Sequence, residues 1–257
     1  PEQIKRLESM GFEVHIGGKN AEAGPCPEEL LDAEAVVCFH LFDKSDISRF
    51  KNLRLIHTTC AGLDHMPLDY IRENGIRLFN ASGVYSIPMA EYALGGVLQL
   101  YKKAPLFAAQ QREHVWRQSR EMLELTGKRV LILGSGSIGG ETAKRFSAMG
   151  CHVTGLCRHP EPKRFFDEVR SISELDALLP ESDIVIACLP LTDETRHMFD
   201  AARFELMKPG AVFVNMARGP ITDTAALLRV LERKKLLGAV IDVCEQEPLP
   251  PESPLWD

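Results

Sequence analysis

The sequence predicts a doubly wound α/β protein built in two lobes, and three observations carry that reading. Short apolar runs alternate with helical patterns along the chain, which is the rhythm of successive βαβ units. Several of those runs are unbroken by polar residues, as in parallel strands covered on both faces. The 257 residues are also long for one core and comfortable for two, at roughly 100–200 residues per domain. The division falls near residue 83, giving lobes 1–83 and 84–257.

In order, strands are expected at 13–16, 35–39, 54–58 and 76–79, then at 129–134, 152–157, 184–189, 211–215 and 238–243. A helix-like segment, 2–10, opens the chain. No strand pattern occurs from Pro88 to about Leu123. There Ala90, Ala93, Leu94, Val97 and Leu98 fall at helical spacing, and a polar stretch, 110–120, carries Trp116. Two readings stay open for this region: long helices linking the lobes and offering a subunit contact, or ordinary surface helices. Both ends read as cut, because a sheet of this type normally starts on a strand and the chain stops directly after a loop. A fragment of a longer protein is the expectation.

Hydrophobic residues make up 45% and charged residues 26% of the chain, a globular balance that argues against disorder. The net charge of −6 gives no bulk attraction to nucleic acid. The runs Lys102-Lys103 and Arg233-Lys234-Lys235 read as solvated helix faces. No apolar stretch approaches the ~20 residues of a membrane-spanning helix, and no secretory leader is visible. Seven cysteines without C-x-x-C spacing read as reduced thiols of a cytoplasmic protein, rather than as a disulfide framework or a metal site.

The most informative stretch is Val130-Leu-Ile-Leu-Gly134-Ser-Gly136-Ser-Ile-Gly139-Gly140. It is a G-x-G-x-x-G turn directly after a strand, followed by a helix that Gly150 is placed to end and then by a second strand. Gly134 permits the tight turn, Gly136 lets backbone approach a pyrophosphate, and Gly139 lets helix and strand pack closely. The helix start offers free N–H groups and a positive dipole end to phosphates. This predicts a dinucleotide site. An NAD site usually carries an acid about 20 residues on, against the ribose. Here Cys157, Arg158 and His159 stand there instead. An uncharged residue followed by a cation suits a 2′-phosphate, so NADP(H) is expected in preference to NAD(H). The alternative is that Arg158 covers the adenine while NAD still binds. Leu189-Pro190, after the next buried strand, would lie against the cofactor's ribose.

Two further strand ends carry charged side chains. Arg218, in Asn215-Met-Ala-Arg218-Gly219, could hold a carboxylate through two parallel hydrogen bonds and polarise an adjacent carbonyl; taken alone, it equally fits a surface turn. Asp242 and Glu247, in Asp242-Val-Cys-Glu-Gln-Glu247-Pro248, fall at the same edge. Solvated loop acids are the commoner fate of such residues, most of all for Glu245. The helix before them starts at Asp223, a plausible N-cap, and carries Lys234 and Lys235 in its last turn before stopping at Gly238.

Together these segments resemble the D-isomer-specific 2-hydroxyacid dehydrogenases, the family of glyoxylate/hydroxypyruvate reductases and phosphoglycerate dehydrogenases. Also similar are Cys60-Ala-Gly-Leu-Asp-His and Asn80-Ala-Ser-Gly-Val-Tyr-Ser-Ile-Pro-Met-Ala-Glu91. The resemblance implies a Rossmann cofactor domain and a flavodoxin-like substrate domain. It implies an oxidoreductase that reduces small 2-keto acids to D-2-hydroxy acids, acting as a homodimer. Arg218 would bind substrate and polarise its carbonyl, Glu247 would pair with the catalytic histidine, and Asp242 would accept from the nicotinamide carboxamide. Ser137 and Ile138 would meet the pyrophosphate, Met216 and Ala217 would line the nicotinamide side, and Ala61 and Gly62 would take the substrate carboxylate. Tyr85, Met89 and 63–66 would shape the pocket. In the family the histidine follows the Pro-Leu-Trp tail, beyond Asp257, so this chain would bind cofactor but turn over poorly. His57 and His65, beside the carboxylate loop, read as structural. The competing reading is a non-catalytic NAD(P)-sensing protein like the corepressors that share this resemblance.

Overall fold

A computed structural model describes residues 2–17 and 24–256. The chain divides into two compact units, Pro1–Ser82 and Gly83–Asp257. No helix among the described residues is long and apolar enough to cross a membrane.

The first unit contains helix α1 (Glu2–Ser9), strands β1 (Ala35–Cys38) and β2 (Leu55–Thr58), helix α2 (Leu68–Glu73) and strand β3 (Arg77–Phe79). Its sheet is parallel, in the order β1-β2-β3. Ile56 lies at its centre and is fully buried among Ile47, Phe50, Leu53 and Ile71. The expected strand at 13–16 does not form. That segment is extended coil, and Phe12 and Ile16 stand exposed. A strand exists only where a neighbour's edge completes its ladder, and no described strand offers one to it.

The second unit begins with α3 (Ser86–Tyr101) and α4 (Ala104–Arg112). It continues β4 (Arg129–Leu133), α5 (Ser137–Ala148), β5 (His152–Cys157), β6 (Glu168–Ser171), α6 (Leu175–Leu178) and β7 (Ile184–Ala187). It closes with α7 (Ala201–Leu206), β8 (Val212–Asn215), α8 (Thr224–Glu232) and β9 (Gly238–Ile241). All six strands are parallel in the order β6-β5-β4-β7-β8-β9, which is that of a Rossmann sheet. Alternation along each strand divides its side chains between two cores. Val130, Ile132, Ile184, Ile186, Val212 and Val214 face one, while Leu131, Leu133, Val185 and Phe213 face the other. This is why the inner strands read as unbroken apolar runs.

Three sequence expectations are corrected here. Strand β6 was not expected, because Glu168-Val-Arg-Ser has no apolar run; it pairs only with β5, at the sheet edge. The helical region expected from Pro88 to about Leu123 ends at Arg112, and Trp116, in the polar stretch beyond it, is 96% exposed with no core to order it. Helix α8 stops at Glu232 rather than at Gly238, and Lys234 supplies the left-handed turn at φ 55°.

Candidate active site

The sheet order reverses between β4 and β7, and ligands of open α/β sheets bind at the carboxyl ends of strands beside such a reversal. At the end of β4 the chain turns at Gly134, whose φ is +101°, a conformation natural only to glycine. The Gly134 N–H donates to the Leu156 carbonyl at 2.8 Å, and a Cβ here would stand 2.8 Å from the carbonyl oxygen of Cys188. A Cβ on Gly139 would collide with the Gly134 carbonyl oxygen, whereas one on Gly136 would meet nothing within 4 Å. The turn is therefore closed towards the protein and open towards solvent. Gly136 caps α5 without a side-chain hydrogen bond, which leaves the first N–H groups of that helix directed outward. Ser137 is exposed, with its hydroxyl 2.7 Å from that of Ser86 at the start of α3, and Ile138 is half-buried.

Beyond β5, Arg158 and His159 are exposed. Lys163, which the sequence reading did not single out, reaches back from this loop to the glycine turn. Its Nζ donates to the Ser135 carbonyl at 2.9 Å and to the Ser135 hydroxyl at 3.0 Å. The only hint in the sequence is a second cation in the segment after Arg158. The loop is seated by Phe166, whose ring fills the space a Cβ on Gly155 would need. Beyond β7, Leu189 is half-buried and Pro190 exposed; the Pro190 carbonyl accepts from the Thr195 hydroxyl at 2.8 Å.

The end of β8 is organised by Asn215, which is fully buried. Its Nδ2 donates to the Arg218 carbonyl at 3.0 Å and to the Thr222 hydroxyl at 3.1 Å, while its Oδ1 accepts from the Ala217 N–H at 3.1 Å. This side chain holds the loop Met216-Ala217-Arg218 in shape. Met216 and Ala217 are buried, and Arg218 is half-buried with Nη1 donating to the Ala217 carbonyl at 2.8 Å. Gly219 has no room for a Cβ, because the Cys244 carbonyl oxygen fills the space. The β8 loop and the β9 loop thus touch backbone to backbone.

In the β9 loop, the Asp242 N–H donates to the Asn215 carbonyl at 3.0 Å. The Asp242 side chain is reached by solvent, yet desolvation by the surrounding protein, together with the negative charge of Glu247, raises its pKa. Glu247 accepts from the Cys244 N–H at 2.8 Å. Glu245, read from the sequence as a solvated acid, accepts from His197 at 2.6 Å and from the Thr224 N–H at 2.8 Å. Desolvation opposes its ionisation, but these two partners prevail and lower its pKa.

The structure brings Gly134–Gly139, Arg158, Leu189–Pro190, Met216–Arg218 and Asp242–Glu247 to one edge of one sheet. Ala61 and Gly62 belong to the first unit. There they follow β2, half-buried, with the Ala61 carbonyl accepting from Asn80 Nδ2 at 2.7 Å. His65 lies within 3.4 Å of the Thr58 hydroxyl and its ring packs 4.6 Å from that of His40, while His57 stacks on Phe79. All seven cysteines are free. No group of three or more metal-ligating side chains occurs among the described residues.

Comparison with known proteins agrees with this geometry. The family model described as D-isomer specific 2-hydroxyacid dehydrogenase, NAD binding domain, matches residues 94–257. The chain is 35% identical to a glyoxylate reductase of Thermofilum pendens over 248 residues, covering 90% of the chain and 72% of the relative. It is 31% identical to a D-3-phosphoglycerate dehydrogenase of Archaeoglobus fulgidus over 261 residues, covering 99% of the chain but 49% of that longer relative. Among solved structures, a D-isomer specific 2-hydroxyacid dehydrogenase family protein from Aeromonas salmonicida superposes with a TM-score of 0.83 at 34% identity, covering 99% of the chain and 82% of that structure. By these matches the chain belongs to the D-isomer specific 2-hydroxyacid dehydrogenase family.

Proposed function

We propose that this protein reduces small 2-keto acids of the glyoxylate/hydroxypyruvate type to D-2-hydroxy acids, with NADPH preferred over NADH. The observation that supports it most is the glycine turn, which is open at Gly136 and closed at Gly139, beside the Arg218 and Glu247 loops. Residues 84–257 serve as the cofactor domain and 1–83 as the substrate domain. The turn fits a dinucleotide because a pyrophosphate can approach the Gly136 backbone and meet the outward N–H groups of Ser137 and Ile138. When bound, the reduced nicotinamide supplies the hydride.

The chain's own residues do the rest. Arg218 pairs with the substrate carboxylate and polarises the keto oxygen, with its backbone fixed by Asn215. In the substrate domain, substrate binding is assigned to Ala61 and Gly62. Asp242 accepts from the nicotinamide carboxamide, and Leu189, Pro190, Met216 and Ala217 exclude water from the ring. Arg158 pairs with a 2′-phosphate, supported by its exposure and by the absence of an acid from 151 to 160. Glu247 tunes a histidine that donates the proton to the developing alkoxide, a step worth about 10²–10⁴-fold. The reading also places the enzyme in the cytoplasm as a homodimer, supported by the exposed Ile87 and Leu106 on α3 and α4.

The test follows the absorbance of reduced cofactor with a panel of 2-keto acids, for the whole protein. Reduction of glyoxylate or hydroxypyruvate, faster with NADPH than with NADH, is expected. No turnover with any 2-keto acid would refute the reading.

A further inference from the structure

We propose that Glu245 is a positioning residue, which sets the loop carrying Asp242 and Glu247 and so fixes the nicotinamide end of the cofactor site. The inference rests on the assignment of Asp242 to the nicotinamide carboxamide made above.

Both oxygens of Glu245 are committed, and to different parts of the chain. One accepts from His197 Nε2 at 2.6 Å, 48 residues away in sequence, and the other accepts from the Thr224 N–H at 2.8 Å. His197 is itself held. Its backbone sits at φ 47°, and its N–H donates to the Pro220 carbonyl at 2.7 Å, in the turn that begins at Arg218. Asp223 caps α8 by accepting from the Ala226 N–H at 2.9 Å, and Glu245 satisfies a different orphan donor of the same helix start, the Thr224 N–H, from a distant segment. Glu245 ties the β9 loop directly to the loop before α7 and to the start of α8, and through the His197 backbone to the Arg218 turn.

The loop needs such a tie. Its first residue is fixed by the Asp242 N–H bond to Asn215, and its middle is wedged by the close approach of Cys244 to Gly219. After that, Glu247 bonds within the loop, to the Cys244 N–H. Glu245 anchors this distal half to the domain. The pair carries opposite charges when His197 is protonated, and a charge-assisted bond of this kind is stronger than a neutral one. Removing either partner frees the segment from Glu245 to Glu247, and Asp242 then loses the fixed neighbour, Glu247, whose negative charge bears on its carboxylate.

The test compares ligands with and without the nicotinamide, using NADPH against 2′-phospho-ADP-ribose and NADH against ADP-ribose, by titration calorimetry on the 257-residue chain. For the wild type, the nicotinamide adds affinity within each pair. Glu245→Gln is expected to weaken the dinucleotides by about tenfold, as loss of a hydrogen bond to a charged group does, while the nicotinamide-free ligands stay within about twofold. His197→Ala should behave like Glu245→Gln, and His197→Gln, which keeps an N–H donor, should restore the dinucleotide affinity. In an Asp242→Asn background, Glu245→Gln should cost nothing more, because both act on one contact.

Equal losses for both kinds of ligand would mark Glu245 as merely structural, and no loss for either would dismiss it; each result overturns the proposal alone. A wild-type chain that gains nothing from the nicotinamide would instead overturn the Asp242 assignment, and the proposal with it.

Discussion

The carbonyl oxygen of Gly134 occupies the space that a Cβ on Gly139 would need. The contact sets the first turn of α5 directly on the end of β4. At Gly136 the opposite holds: the surrounding space is empty, and the backbone lies at φ −76° and ψ −158°, which alanine adopts freely. The two glycines should therefore fail differently. Gly139→Ala should destabilise the second unit by about 1–3 kcal/mol, the ordinary cost of overpacking, and should lose cofactor as a consequence. Gly136→Ala should keep the wild-type melting temperature yet bind dinucleotide at least about tenfold more weakly, because the methyl group stands where the pyrophosphate must approach. Thermal melts and dinucleotide titrations of both variants check this; tight binding by Gly136→Ala would contradict the role given to the turn.

Arg158 and Lys163 lie on the same loop but should differ in effect. Arg158 is exposed, and its proposed partner is a 2′-phosphate. Arg158→Ala should weaken NADPH by about tenfold and leave NADH within about twofold, and the difference should shrink as salt is added. Lys163 grips Ser135 inside the glycine turn. Lys163→Met should therefore weaken both dinucleotides by similar factors, because the turn meets the pyrophosphate common to both. Fluorescence titration of the reduced cofactors at two ionic strengths reads both outcomes. An unchanged NADPH to NADH ratio in Arg158→Ala would remove the basis for the preference.

What could be read from the sequence, and what could not, follows from the range of the interactions. Strands β4, β5, β7 and β8 announce themselves because they are buried on both faces, and burial forces an apolar run. The N-cap Asp223 and the glycines 134, 136 and 139 were legible for a similar reason, since each answers a local backbone need. Strand β6 was not, because an edge strand paired with β5 alone is free to carry Glu168 and Arg170. The 13–16 segment misled in the other direction: it has the composition of a strand and no neighbour. Lys163, Glu245 and His197 act through bonds to other segments, the first across 28 residues and the last two across 48. No pattern within a window reports such contacts, so Glu245 read as one more loop acid until the fold placed His197 beside it.

Asn215 should prove more costly to replace than its place at a strand end implies. It is fully buried, and its side chain satisfies the Arg218 carbonyl, the Thr222 hydroxyl and the Ala217 N–H. Asn215→Ala leaves the Ala217 N–H without its partner and takes one of two donors from the Arg218 carbonyl, which keeps the Ile221 N–H, at about 1–3 kcal/mol in all. Urea unfolding measures the stability loss. Any residual activity of the whole protein should fall further than cofactor affinity does, since Arg218 is proposed to contact substrate. A stability change under about 0.5 kcal/mol would mean that water replaces these bonds without cost.

Asp183 gives the clearest pH dependence in the second unit. Burial would by itself raise its pKa, but the Lys208 ammonium, at 2.7 Å, and the Arg129 N–H, at 2.9 Å, prevail and lower it. A carboxyl whose folded pKa lies below its unfolded value, about 3.9 for Asp, adds stability that is complete above the unfolded value. That stability is lost as pH falls through the folded value. The Asp183 side chain is 15% exposed but that of Lys208 is 45% exposed, so solvent screens part of the attraction, and the contribution should be of the order of 1 kcal/mol at neutral pH. Asp183→Asn should remove it, lowering stability at pH 7 while narrowing the gap to wild type below about pH 4. Urea unfolding of both proteins from pH 7 down to pH 3 measures the gap. Curves that stay parallel over this range would show that the ion pair, despite its geometry, contributes no charge-dependent stability.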